Sequence, residues 1–183
     1  MKPALIVVDL LEDNCRVQGS LMPVHEKMIL SLTPFLRKWR SKGAPVIFAC
    51  DSYLPEDFIF KGRMKPTALR GTPGAEVLRE IERLDVDIVL PKRRFSAFFK
   101  TDLDQTLRLK GIDTVAVAGI NTHFCVLTTA LDALSHDFCT IILEDLSGAF
   151  KPEIHRSFIE AYRASAFYPF LKVLTSDQML EAF

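Results

Sequence analysis

Three side chains in this 183-residue chain have the types and the placement for chemistry at a carbonyl carbon: Asp9, Lys92 and Cys125. Cys125 follows an uncharged, β-branched run, TVAVAG at 114–119, and precedes a stretch in which Val126, Ala130, Ala133 and Leu134 recur at helical spacing. The pattern predicts strand, sharp turn and helix, with Thr122 as N-cap and the thiol in the first turn. Unsatisfied N–H groups and the positive end of a helix dipole at that place favour thiolate, the nucleophilic form. Asp9 closes the apolar run ALIVV at 4–8, and Lys92 lies just past DIVLP at 87–91. If the three strands are neighbours in a parallel sheet, the three side chains meet in one crevice at its carboxyl edge. Lys92 would then hold the thiolate by its charge, while Asp9 carries a proton between the thiol and a leaving amine.

The rest of the chain supplies elements that would put them there. A helix is expected over about 24–42, with Met28, Ile29, Leu32, Leu36 and Trp39 on its inner face and Gly43 as its stop. Strands follow at 46–50, ending in Asp51, and at 139–143, with Glu144 and Asp145 at its tip, and a shorter one at 171–174. Helices are expected at 75–84, 102–110 and 152–166, and Ser176 is the expected cap of a closing helix. This alternation predicts an α/β fold: one domain over 1–183, with a doubly wound, mainly parallel six-stranded sheet and helices on both faces. Two stretches read as loops, 10–23 and 52–72. The second is long enough to suggest a lid, and it carries Arg63, Lys65 and Arg70 among the aromatics Tyr53, Phe58 and Phe60.

Composition narrows the function. Basic and acidic residues balance at 23 each, so nothing favours nucleic acid or a membrane surface as partner. Cysteines at 15, 50, 125 and 139 form no CxxC, which argues against a zinc site or a disulfide framework and for a reducing, cytoplasmic setting. The first apolar run is too short for a signal segment or a membrane span. DLLEDN after the first strand lacks the G-x-G-x-x-G of a dinucleotide-binding oxidoreductase.

Four blocks together carry a resemblance. GINTHFCV at 119–126, continued by Thr129 and Ala130, fits G-x-x-T-x-x-C-V; Lys92 with Ser96, Ala97 and Phe98 fits K-x-x-x-S-A-F. Val7, Val8 and Asp9 followed by Asp13, and GTPGA at 71–75, complete the set. In these the chain resembles the isochorismatase-like cysteine hydrolases, the superfamily of nicotinamidase, N-carbamoylsarcosine amidase and isochorismatase. The resemblance implies Cys125 as nucleophile, Asp9 as general acid and base, and Lys92 as the group that orients and polarises the pair. It implies a non-proline cis peptide at Ile120–Asn121 and an oxyanion hole made by the Asn121 and Cys125 N–H groups. It also implies a homo-oligomer, dimer or tetramer.

Departures from the pattern direct the substrate assignment. Nicotinamidases of the superfamily hold a metal with Asp-x-His after the second strand and a further His before G-T-x-G-A. This chain has Asp51-Ser52-Tyr53 and, at the second place, Ala68, so neither a metal nor any other cofactor is expected. Leu11 stands where many members have Gln, and Asn14 where they have Phe. The expected activity is release of ammonia from a small acyclic amide or ureido acid, as in N-carbamoylsarcosine amidase. Nicotinamidase activity and a non-catalytic binding role are the alternatives; vinyl-ether hydrolysis of the isochorismatase type is disfavoured by the presence of Cys125. Arg63, Lys65 and Arg70 could anchor a substrate carboxylate or simply be a solvated basic loop, and His123 could be a second thiol partner or a surface residue.

Overall fold

The computed structural model describes residues 1–183. In chain order its elements are β1 (Pro3–Val8), α1 (Glu12–Cys15), a two-stranded hairpin of β2 (Arg16–Val17) and β3 (Ser20–Leu21), α2 (Pro23–Ser41), β4 (Val46–Asp51) and β5 (Ile88–Lys92). They continue with α3 (Leu103–Leu109), β6 (Thr114–Ile120), α4 (Leu127–Ser135), β7 (Cys139–Gly148), α5 (Pro152–Arg163), β8 (Leu171–Leu174) and α6 (Ser176–Glu181).

Continuous apolar runs predict strands covered on both faces, and every residue of β1, β4 and β6 is buried. The main sheet is six-stranded and parallel, in the order β5-β4-β1-β6-β7-β8. One face packs on α2 and α6 through Ile29, Leu32, Leu36, Trp39 and Met179; the other packs on α3, α4 and α5 through Leu103, Leu107, Ala130, Ala133 and Ile159. The chain leaves β1 first toward β4 and later returns to its other side with β6. The boundary between β1 and β6 is thus the switch point of the sheet, where side chains at two neighbouring carboxyl ends face an open crevice. Gly119 permits the close approach there: its φ is +114°, and a Cβ would lie 2.1 Å from the Val8 carbonyl oxygen. No helix is long and apolar enough to cross a membrane.

Several boundaries differ from the sequence expectation. No helix forms over 75–84; after a short turn at Pro73–Ala75 the backbone runs alongside residues 10–12. Glu12 N–H donates to the Glu76 carbonyl at 3.1 Å and Leu78 N–H to the Leu10 carbonyl at 2.9 Å, so these groups bond across the chain rather than along a helix. The stretch read as loop 10–23 contains α1 and the β2–β3 hairpin. β7 continues through Glu144 and Asp145 to Gly148, and the pairing register shifts between Val117 and Gly119. α5 stops at Arg163. Thr175 rather than Ser176 caps α6, in a reciprocal box with Gln178, while Ser176 bonds Asp145. Lys92 is the last residue of β5 rather than the first beyond it.

Candidate active site

The parallel register of β4 and β5 sets Asp51 directly beside Lys92, and β1 brings Asp9 to the same edge. Lys92, only 1% exposed, gives each of its three ammonium protons an acceptor: Asp9 Oδ2 at 2.8 Å, Asp51 Oδ1 at 2.6 Å and the Arg94 carbonyl at 3.1 Å. Asp9 takes the Asp51 N–H on Oδ1 at 2.8 Å, and its own carbonyl accepts from Asn14 Nδ2 at 3.2 Å. One carboxylate oxygen each from Asp9 and Asp51 and the Cys125 sulfur all lie within 4.8 Å of one another. The structure therefore brings together the three residues singled out from sequence and adds a fourth, Asp51, which the sequence presents only as an isolated metal ligand. Register was the missing signal, since Asp51 and Lys92 are the terminal residues of adjacent parallel strands.

Burial and neighbouring charges shift the proton affinities of these groups. Burial raises the Cys125 thiol well above its usual range; Asp9 and Asp51 add to this, and Lys92 offsets only part. This direction favours a thiol beside Asp9 and runs against the sequence expectation of a thiolate held by Lys92 and a helix dipole. Burial opposes the charge on Lys92, yet the carboxylates beside it, Asp9 first and then Asp51, keep its ammonium well above the ordinary lysine range. Asp51 is pushed up to about 7 by burial and by Asp9, with Lys92 working against the rise.

The turn after β6 also differs from a simple helix start. Residues Thr122–Val126 form a π-helical turn that leads into α4. Thr122 does not cap it; its hydroxyl pairs with His155 Nδ1 of α5 at 2.8 Å. The Ile120–Asn121 peptide is cis, and the Asn121 N–H has no acceptor within the chain. The Asn121 carbonyl accepts from Phe124 and Val126. His123 packs against the Phe124 and Phe158 rings, and its buried Nδ1 has no partner.

The motif element GTPGA has a steric cause. Asp13 accepts the Ala68 N–H at 2.9 Å, and a Cβ on Gly74 would stand 2.1 Å from the Asp13 carboxylate. Residues at the metal-ligand places of nicotinamidases do not fit a metal here. Ala68 offers a methyl group, Tyr53 a buried phenol, and the Asp51 carboxylate is engaged by Lys92.

A cavity of about 570 Å³ opens over Cys125, with Asp9, Asp51, Asn121 and Tyr53 among its lining residues. Arg63, Lys65 and Arg70 do not line it. Arg63 and Lys65 are exposed; Arg70 bonds Ser52 and borders a separate depression beside Arg93, Arg94 and Lys100.

Comparison with known proteins agrees with the fold. Residues 3–178 match the model of the isochorismatase domain. An isochorismatase-like hydrolase from Alkaliphilus metalliredigens superposes with a TM-score of 0.89 at 30% identity, covering 100% of this chain and 99% of that one. N-carbamoylsarcosine amidase from Thermoplasma acidophilum gives 0.81 at 33% identity, with 97% and 98% covered. Maleamate amidohydrolase of Pseudomonas putida KT2440 is 29% identical over 154 residues, which are 80% of this chain and 72% of that protein.

Proposed function

This chain belongs to the isochorismatase family of hydrolases acting on amide C–N bonds, and we propose that it releases ammonia from a small amide or ureido substrate through a covalent intermediate on Cys125, with no metal. In this reaction Asp9 removes the Cys125 proton as sulfur attacks the carbonyl carbon. The oxygen that gains charge accepts from the Asn121 and Cys125 N–H groups, each donor of this kind contributing about 2.7–4 kcal/mol to the transition state. Asp9 returns the proton to the departing nitrogen, the C–N bond breaks, and ammonia leaves behind a thioester, or a thiocarbamate from a ureido group. A water molecule, deprotonated by Asp9, cleaves the C–S bond and restores the thiol. The steps at the scissile bond are those of an N-carbamoylsarcosine amidase, and they do not fix the part of the substrate away from that bond. The observation that carries the reading is the Lys92 ammonium locked between Asp9 and Asp51 beside the thiol.

The test is ammonia release from N-carbamoylsarcosine, nicotinamide and short amides by wild type and Cys125→Ala. Turnover that the substitution abolishes supports the cysteine route. Turnover that survives it overturns the route, and turnover of nicotinamide alone would return the protein to the nicotinamidase reading.

A further inference from the structure

The walls of the Cys125 cavity say what the part of the substrate remote from the scissile bond must be. Val17, Met22, Ile59, Met64, Phe124 and Phe150 are among its apolar lining residues, and Phe95 stacks on Phe124 with ring centroids 6.0 Å apart. The charged residues on the wall are Asp9, Asp13, Asp51 and a single cation, Arg16. Arg16 is already paired with acidic groups: Nε donates to Glu12, one terminal nitrogen donates to both Glu80 oxygens at 2.5 and 2.7 Å, and the other donates to the Gly19 carbonyl. Lys92 has spent its three protons. The cavity therefore offers a substrate carboxylate no free cation, and Asp9 and Asp13 would repel it.

Resting on the amidohydrolase reading above, we infer that the substrate is an electrically neutral amide whose non-reacting end is apolar and lies on the Phe124, Phe150 and Met64 side chains, rather than a carboxylate-bearing ureido acid. Aromatic and thioether side chains gain from contact with such a group, whereas a carboxylate placed beside the half-exposed Phe124 and Phe150 gives up part of its hydration and finds no cation in exchange.

A matched pair tests this. Hexanamide and adipamate share chain length and scissile group and differ in a terminal methyl against a terminal carboxylate. The expected kcat/KM is at least about tenfold higher for hexanamide, in keeping with the cost of burying an unpaired charge. Met64→Arg, which sets a cation in the wall at an exposed lid position, should raise turnover of adipamate and narrow the ratio. Phe124→Ala should lower the preference for hexanamide over acetamide by about fivefold, a change in specificity that a merely structural loss would not produce. Binding of both compounds to Cys125→Ala protein by calorimetry separates the two levels of the argument. Adipamate binding as tightly as hexanamide, or neither binding, overturns the inference even if amides are hydrolysed. Tighter binding of hexanamide with no turnover by wild type upholds the inference and overturns the amidohydrolase reading.

Discussion

Lys92 donates to Asp51 at 2.6 Å and to Asp9 at 2.8 Å, with all three groups buried. One cation thus bridges two acidic groups that the fold would otherwise hold together in a dry place. Lys92→Met should cost about 3–5 kcal/mol of stability, because it strands both carboxylates, and should abolish turnover. Adding Asp51→Asn to that variant should recover part of the stability and none of the turnover. Urea denaturation with an ammonia assay reads both. A Lys92→Met protein as stable as wild type would show that the ammonium is not what holds the pair.

Asp51 makes folding depend on pH in a particular direction. Its carboxyl is pushed from 3.8 to about 7 by burial and by Asp9, so the folded protein holds this proton more tightly than the unfolded chain. The stability linked to it is complete below about pH 4 and falls away by about 1.4 kcal/mol per unit as pH rises toward the folded value. Asp51→Asn has no such proton to lose. Melting curves between about pH 5 and pH 8 should show the variant gaining on wild type as pH rises. A constant gap would mean that Asp51 is already ionised at the lower end.

The strands β1, β4 and β6 were legible in the sequence because they are buried on both faces and carry no charge until they end, and they placed Asp9 and Cys125; Lys92 closes β5, which is only partly buried. The far half of β7 was not legible, since Glu144 and Asp145 interrupt its apolar run while the backbone pairing continues. The helix expected over 75–84 does not form, because hydrogen bonds to residues 10–12 decide the conformation there. The part played by Asp51 depends on which residue of β5 lies beside it, and the state of the thiol depends on how many carboxylates surround it. Both are products of register, which no local pattern contains.

Two glycines with positive φ should answer very differently to alanine. At Gly43 a Cβ meets nothing within 4 Å, so Gly43→Ala should cost only the backbone strain, about 1 kcal/mol. At Gly119 the same group would stand 2.1 Å from the Val8 carbonyl oxygen, so β6 must move away from β1, and Asp9 with it. Gly119→Ala should cost more than about 3 kcal/mol and remove activity. Urea midpoints for the two variants check this, and similar losses at both positions would contradict the close packing of β1 on β6.

The protonation state of Cys125 can be read directly from its alkylation. Iodoacetamide reacts with thiolate, so the rate of inactivation follows the ionised fraction. Burial together with Asp9 and Asp51 raises this thiol well above the ordinary range, and Lys92 does not reverse the effect. Cys139 is the exposed thiol and would react first, so the experiment belongs in a Cys139→Ser background; Cys15 and Cys50 are buried, with thiols pushed up to about 12. The inactivation rate should be slow near neutrality and keep climbing past about pH 9, beyond where a free thiol levels off. Above about pH 7, where Asp51 carries its charge, Asp51→Asn should react faster than wild type, because one of the charges opposing the thiolate is gone. A plateau already reached below about pH 8 would mean that Cys125 rests as a thiolate paired with Lys92, and Asp9 would then have no thiol proton to remove when the substrate arrives.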